Sequence, residues 1–126
     1  MPTCSHHAQG YNPSCGDHLH VYVKVDQGGI IEDIAFIADA CAVATASASM
    51  MTEAIKGISI ATAETTFKKF NDLVSGKPGA RNHASDLGPL LIFKNLQQYP
   101  SRIKCALLPW EALLAALQNQ KETSSE

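Results

Sequence analysis

A chain of 126 residues fits one domain and can bury a hydrophobic core without disulfide bonds. Its formal net charge is −2, from 10 Lys and Arg against 12 Asp and Glu, and the basic residues are scattered, so we expect no nucleic-acid partner. With no apolar run of membrane-spanning length and no signal peptide, we expect a cytoplasmic protein without membrane contact, whose four cysteines stay reduced.

Two strands are predicted in the first third of the chain. Residues 18–25 alternate between apolar side chains on one face and polar ones, including His18 and His20, on the other. Gly28 and Gly29 mark a turn, and the apolar stretch 30–37 predicts an antiparallel partner strand. We interpret the face with His18 and His20 as solvated.

Helical spacing dominates the rest of the chain. It predicts helices over 41–56, ending at Gly57, and over 62–75, a loop over 77–86, a short helix over 87–96 and a terminal helix that begins at Pro109. Strands followed by helices favour an α+β domain with helices on one face of a small antiparallel sheet. We expect one domain, 1–126, with flexible ends over 1–9 and 118–126.

Three cysteines stand in surroundings that favour reactivity. Cys15 follows a proline turn and lies two residues before Asp17, so one loop can present a thiolate and a carboxylate. Cys41 stands at a predicted helix N-terminus, which stabilises an anion. Cys105 follows Arg102 and Lys104, whose positive charges favour a thiolate. Each cysteine taken alone is more often a small buried apolar residue.

The set of Cys15, Asp17, Cys41 and Cys105 offers four ligands. It suits tetrahedral Zn²⁺, and it could also hold iron in a sulfur-bridged cluster. A structural zinc site usually closes with Cys and His, whereas an oxygen ligand is displaced more easily and would let a metal or cluster be handed on. A cluster of Cys4, His6 and His7 near the N-terminus is a weaker alternative.

Three strings of residues closely resemble the IscU/SufU/NifU N-terminal family of iron–sulfur cluster assembly proteins. They are Gly10-Tyr11-Asn12-Pro13-Ser14-Cys15-Gly16-Asp17, Cys41-Ala42-Val43-Ala44-Thr45-Ala46-Ser47-Ala48-Ser49-Met50-Met51-Thr52 and Arg102-Ile103-Lys104-Cys105. The resemblance covers about residues 8–117. Lys104, where the scaffold branch carries His, and the long stretch between Cys41 and Cys105 are similar to the SufU-type branch.

The resemblance implies an IscU/SufE-like fold, with a three-stranded antiparallel sheet and helices on one face, and a site for Zn²⁺ or a transient [2Fe-2S] cluster or iron at Cys15, Asp17, Cys41 and Cys105. It implies that a SufS-like cysteine desulfurase passes persulfide sulfur to Cys15, as in SufU-type members, or to Cys105, as in IscU-type members. Apo iron–sulfur proteins or a carrier would then receive sulfur or clusters. We favour a scaffold or accessory protein over an enzyme, with zinc-dependent sulfur transfer as the enzymatic alternative.

Two departures from the family accompany this resemblance. Asp39 and Ala40 stand where the family carries glycines, which adds a negative charge near Cys41. The family's N-terminal helix is missing from this sequence, and its absence would expose an apolar face that favours a homo-oligomer.

Rival functions remain open. A zinc hydrolase or deaminase would carry His-Glu-x-x-His, or His-x-Glu with Cys-x-x-Cys, and the sequence contains neither. A structural zinc-binding interaction module without sulfur transfer would explain the ligands but not the activating surroundings of the thiols. A metal-free interaction domain would bind no stoichiometric metal.

Overall fold

The computed structural model describes residues 5–12, 16–75, 99–118 and 122–124. Within them the elements are, in chain order, β1 (His6–Asn12), β2 (Asp17–Val25), β3 (Ile31–Asp39), α1 (Ala42–Ile55), α2 (Ile60–Ser75), α3 (Pro100–Leu117) and β4 (Glu122–Ser124). The strands form one sheet in the order β3-β2-β1-β4, in which β4 is parallel to β1 and the other pairs are antiparallel. The loop expected over 77–86 and the helix expected over 87–96 lie outside the described residues.

The predicted hairpin is confirmed as β2 and β3. The apolar positions of β2 are buried against the helices and alternate with half-buried polar positions, as the period of two requires. The turn is held by Asp26, whose Oδ1 accepts from the backbone N–H of Gly28 at 2.8 Å and of Ile30 at 3.0 Å. Gly29 takes a positive φ of 80°, which glycine adopts without steric cost.

Strand β1 was not predicted, and it includes residues 6–9, which we expected to be flexible. Its buried positions are Ala8, Gly10 and Asn12, which are too small or too polar to read as a buried strand. The residue at position 10 must be small because helix α3 comes very close to β1. A Cβ on Gly10 would lie 3.1 Å from Cδ1 of Leu108 and 3.3 Å from Cβ of Ala112. Helix α3 therefore packs directly against the backbone of β1.

Helices α1 and α2 agree with the prediction to within two residues at each end. Gly57 follows the C-terminus of α1 with a φ of 90°, the left-handed conformation expected of a residue that ends a helix. Within the described part of the chain, no helix is both long and apolar enough to cross a membrane.

The predicted start of the last helix at Pro109 is wrong. Helix α3 begins at Pro100 and continues through Pro109. A proline at the first helical position needs no N–H, whereas Pro109 has none to donate to the carbonyl of Cys105 four residues earlier. Tertiary packing keeps the helix intact, since residues 105–110 are all buried.

The core lies between the sheet and α3. Trp110 is fully buried, and its ring centroid is 5.2 Å from that of Phe70 on α2. The remaining large and fully buried side chains come from all three helices and from β2 and β3; they are Leu19, Val21, Val23, Ile31, Met51, Ile55, Val74, Leu108 and Leu113. Helix α3 therefore links the sheet to α1 and α2, and its N-terminal half fixes the position of Cys105.

Candidate metal centre

The β2–β3 hairpin brings Asp17 next to Cys41. In the antiparallel register, the start of β2 lies beside the end of β3, where His18 pairs with Asp39. The chain then passes through Ala40 to Cys41. The backbone N–H of Cys41 donates to Oδ1 of Asp17 at 2.8 Å, and Cys41 Sγ lies 3.7 Å from Asp17 Oδ2. One carboxylate therefore joins the sheet to the beginning of α1.

Cys41 is the N-cap residue of α1, as expected from the sequence. Its backbone is extended, with φ −66° and ψ 166°, and its Sγ accepts from the backbone N–H of Ala44 at 3.5 Å. The first N–H groups of a helix have no intrahelical acceptor, so they favour negative charge on a capping atom. The half-buried Cys41 sulfur therefore caps the N-terminus of α1.

Helix α3 supplies the third group. Cys105 is fully buried, Asp17 is only 3% exposed, and one ligand atom from each of Asp17, Cys41 and Cys105 lies within 4.8 Å of the other two. This donor set of one carboxylate oxygen and two sulfurs is suited to zinc or to iron in a sulfur-bridged cluster. Residues from β2, from the N-terminus of α1 and from α3 therefore converge at one place.

Asn12 borders the same site and was missed by the sequence analysis. Its Nδ2 donates to Cys105 Sγ at 3.5 Å, across 93 positions of sequence. The side chain is 1% exposed, and its Oδ1 has no hydrogen-bond partner among the residues that the structure describes. A buried polar atom without a partner is costly and calls for an explanation. An amide that faces a metal centre fits this observation.

A buried hydrogen-bond network fixes α1 against α3 beside the centre. The hydroxyl of Ser47 donates to the carbonyl of Ala106 at 2.6 Å, and it accepts from Nε1 of Trp110 at 3.2 Å. Ala106 lies in the turn of α3 where Pro109 lacks the backbone N–H that a helix residue would normally donate. Ser47 therefore stabilises α3 next to Cys105 and sets the spacing between Cys105 and Cys41.

The described residues do not include every predicted site residue. Cys15, with Pro13 and Ser14, lies outside them, as does Cys4. Asn12 and Asp17, which pair at the ends of β1 and β2, flank the segment that carries Cys15. The side chains of Arg102 and Lys104, which we expected to act on Cys105, are exposed.

Comparison with known proteins identifies the same pattern. Residues 3–122 match the family model described as the NifU-like N-terminal domain. The chain is 44% identical over 102 residues to the zinc-dependent sulfurtransferase SufU of Bacillus subtilis, which is 81% of this chain and 67% of that protein. It is 38% identical over 107 residues to the iron–sulfur cluster assembly scaffold protein IscU of Streptococcus pyogenes, which is 85% of this chain and 65% of that protein. The chain spans about two thirds of the length of these two relatives.

Solved structures show the same fold. A crystal structure from Fervidobacterium islandicum, whose description is an iron–sulfur cluster assembly scaffold protein for the SUF system, has a TM-score of 0.84 and 35% identity and covers 93% of this chain and 83% of its own. An N-terminal NifU-like protein from Brucella abortus has a TM-score of 0.76 at 20% identity, which shows the fold alone. The α+β fold expected from the sequence is confirmed. The short strand β4 at the edge of the sheet is an addition to that expectation.

Proposed function

This chain belongs to the NifU-like N-terminal domain family, and on that premise we propose that it accepts persulfide sulfur from a cysteine desulfurase at a metal centre made of Cys15, Asp17, Cys41 and Cys105. The observation that carries the proposal is the convergence of Asp17, Cys41 and Cys105 from three separate elements, with ligand atoms within 4.8 Å of one another. The delivery of sulfur or of an assembled cluster to apo iron–sulfur proteins would follow.

Zinc fits the donor set. Asp17, Cys41 and Cys105 would hold it with Cys15, and bound zinc would keep its thiol ligands deprotonated at neutral pH. Asp17 supplies the ligand most easily displaced, because its Oδ1 already accepts from the Cys41 N–H. A carboxylate shared between a backbone donor and a metal can release the metal without moving α1.

Burial distinguishes between the two candidate sulfur acceptors. Cys105 is fully buried and contacts Asn12. The persulfide of another protein would therefore not reach the Cys105 sulfur unless the structure around it opened. In the sequence, Cys15 lies between Asn12, which ends β1, and Asp17, which begins β2. This supports Cys15 as acceptor and Cys105 as a ligand that stays in place.

The transfer is a thiol exchange. The Cys15 thiolate attacks the terminal sulfur of the desulfurase persulfide, the sulfur–sulfur bond of the donor breaks, and the desulfurase cysteine leaves as a thiolate. The sulfur atom then remains as a persulfide on Cys15, and no external oxidant or reductant is consumed.

Mass spectrometry tests the proposal. The zinc-loaded protein is incubated without oxygen with a cysteine desulfurase and cysteine, and the thiol that gains one sulfur atom is located by peptide mapping. We expect the added sulfur on Cys15, its loss in Cys15→Ser, and no change in the matched control Cys4→Ser. Sulfur on Cys105 in the wild type would overturn the acceptor assignment. Zinc without any persulfide would favour the structural zinc module.

A scaffold role is the second candidate, favoured by the likeness to the IscU relatives. In that role the same four residues would hold iron and sulfide as cargo for an apoprotein. Anaerobic incubation with ferrous iron, cysteine and the desulfurase would then give a chromophoric cluster that leaves when an apo-ferredoxin is added. If no acid-labile sulfide accumulates on the chain, the carrier role alone remains.

A further inference from the structure

Imidazole rings meet on the side of the sheet that faces away from the helices. We call this side the open face; it carries the polar positions of β1 and β2, namely His7, Gln9, Tyr11, His18, His20 and Tyr22. The register pairs Gln9 with His20 and His7 with Tyr22, so His7 and His20 are diagonal neighbours. Nε2 of His7 lies 3.1 Å from Nδ1 of His20, in a hydrogen bond in which one ring donates and the other accepts. From the sequence, the face with His18 and His20 was expected to be solvated, but the His7 and His20 side chains are half-buried.

The neighbours of the pair hold both rings in place. Tyr22 stacks on His7, with 4.5 Å between ring centroids and 7° between ring planes. The centroid of His18 lies 4.9 Å from that of His20 at a tilt of 51°, and Nε2 of His18 is 3.1 Å from Oε1 of Gln9. Rings that are already stacked lose little conformational freedom when they bind a ligand.

We propose that His7 and His20 form a second metal site, which binds a divalent first-row transition ion such as Ni²⁺ or Zn²⁺. Two imidazole nitrogens that are each about 2.0–2.1 Å from such an ion lie about 2.9–3.4 Å apart at the usual ligand angles. The 3.1 Å between His7 Nε2 and His20 Nδ1 falls in this interval. Binding requires that the donating ring move its proton to its other nitrogen. It also requires that the two rings, which are nearly parallel with 5.3 Å between their centroids, turn until both nitrogens point at the ion; water completes the coordination.

The protonation state of the pair agrees with this geometry. Burial lowers the pKa of His20 below its ordinary value, and the neighbouring His18 and His7 lower it further. The ring is therefore neutral at pH 7, which is the form that binds metal. Three acidic residues occupy nearby strand positions without pairing directly with His7 or His20. Asp33 and Asp39 of β3 pair with Lys24 and His18, and Glu122 of β4 pairs with Gln9.

The site is separate from the centre of Asp17, Cys41 and Cys105. His20 is three positions beyond Asp17 on β2, which is about 10 Å along a strand, and an odd spacing puts the two side chains on opposite faces. Asp17 is buried on the helix side, whereas His20 is on the open face. The inference therefore stands on different residues from the proposed function, and neither depends on the other.

Calorimetric titration with Ni²⁺ tests the proposal on four proteins: the wild type, His7→Gln, His20→Gln and, as matched control, His6→Gln. Any Ni²⁺ held by the thiols is common to all four. We expect the affinity for one equivalent of Ni²⁺ to fall at least roughly tenfold in His7→Gln and His20→Gln. Loss of a metal ligand should weaken binding at least as much as loss of a group that only hydrogen-bonds to a ligand. His6→Gln should bind Ni²⁺ like the wild type, because the His6 ring is hydrogen-bonded to Ser5 Oγ and is not part of the pair. Four identical isotherms would overturn the proposal.

A second measurement uses the wild type alone and so does not depend on how the variants fold. Paramagnetic Ni²⁺, added below one equivalent to the protein whose thiol centre is already loaded with zinc, should broaden the ring-proton NMR signals of His7 and His20 before those of His6. Uniform broadening of all histidine signals would mean that the ion binds without preference for the pair, which contradicts the proposal.

Discussion

Oδ1 of Asp17 accepts a hydrogen bond from the backbone N–H of Cys41 at 2.8 Å. A residue proposed as a metal ligand therefore also holds the N-terminus of α1 to the first residue of β2. Metal binding and the hydrogen bond to Cys41 can be separated by substitution. Asn at this position retains an oxygen acceptor but has no charge, whereas Ala has neither the acceptor nor the charge.

We predict that metal-free Asp17→Asn is more stable than metal-free Asp17→Ala by about 1–2 kcal/mol, since a donor left without its partner costs about that much. Urea denaturation measures the difference. The affinity for zinc should differ from that of the wild type in both variants, because both lack the carboxylate. Equal stability of the two variants would show that the hydrogen bond to Cys41 contributes nothing.

Ser47→Ala should lower the free energy of unfolding by about 1–3 kcal/mol, because it removes two buried hydrogen bonds and leaves the Trp110 N–H without its acceptor. Ser49→Ala is the matched control on the same helix, since Ser49 is exposed and should change stability by less than about 0.5 kcal/mol. If both variants unfold at the same urea concentration as the wild type, the network does not hold α1 to α3.

Asn12→Ala should weaken zinc binding by about 10- to 100-fold, the usual effect of removing a group that hydrogen-bonds to a ligand. The physical reason is the bond from Asn12 Nδ2 to Cys105 Sγ, which favours the charged sulfur. Competition with a chromophoric chelator measures the affinity. Gln27→Ala, in the exposed turn at the far end of β2, serves as control. An unchanged affinity in Asn12→Ala would remove Asn12 from the centre.

Gly10→Ala should destabilise the protein by about 1–3 kcal/mol, the usual cost of overpacking. The new methyl group would lie 3.3 Å from Cβ of Ala112, which cannot rotate away, and 3.1 Å from Cδ1 of Leu108. The control is Gly28→Ala, where the nearest atom to an added Cβ is Asp26 Oδ1 at 3.4 Å. Thermal unfolding compares the two, and a Gly10→Ala protein as stable as wild type would mean that α3 can move off β1.

Stability should fall as the pH drops from 7 to 5, in part through His20. Its pKa is lowered in the folded protein from the ordinary 6.5, so the unfolded chain takes up this proton first and protons favour unfolding. His20→Gln should lose less stability over this interval than the wild type, while His6→Gln should follow the wild type. Urea denaturation across the interval provides the measurement. A steeper fall in His20→Gln would reverse the sign of the argument.

The sequence predicted those parts of the fold whose apolar pattern is strong. Strand β2 alternates clearly, β3 is a largely apolar stretch that follows a turn, and α1 and α2 carry apolar stripes, so their bounds were close to those of the structure. Strand β1 escaped prediction because Gly10 and Asn12 occupy buried positions where an apolar side chain would be expected. At Gly10, α3 leaves little room for any side chain. Pro109 was misread as a helix start because local propensity does not include the packing that carries α3 through it.

The candidate centre was predictable where local strings mark reactive thiols, and less so where tertiary contacts decide. Cys41 at a helix N-terminus was read from the chain, whereas Asp17, expected in a loop with Cys15, is the first residue of β2. The roles of Asn12 and Ser47 depend on hydrogen bonds to residues 93 and 59 positions away, which no local pattern reveals. The pair of His7 and His20 was missed because β1 was not recognised as the neighbour of β2.

The measurement that tests the central claim most directly is elemental analysis of the protein purified without oxygen, with zinc, iron and acid-labile sulfide counted per chain. We predict about one tightly held zinc per chain and no sulfide. The zinc should be retained in Cys4→Ser and lost in Cys41→Ser, as expected of a centre built from Cys15, Asp17, Cys41 and Cys105. Iron with matching sulfide would assign the scaffold role to the same residues. A wild type without metal, or a Cys41→Ser variant that keeps the full amount, would contradict the account.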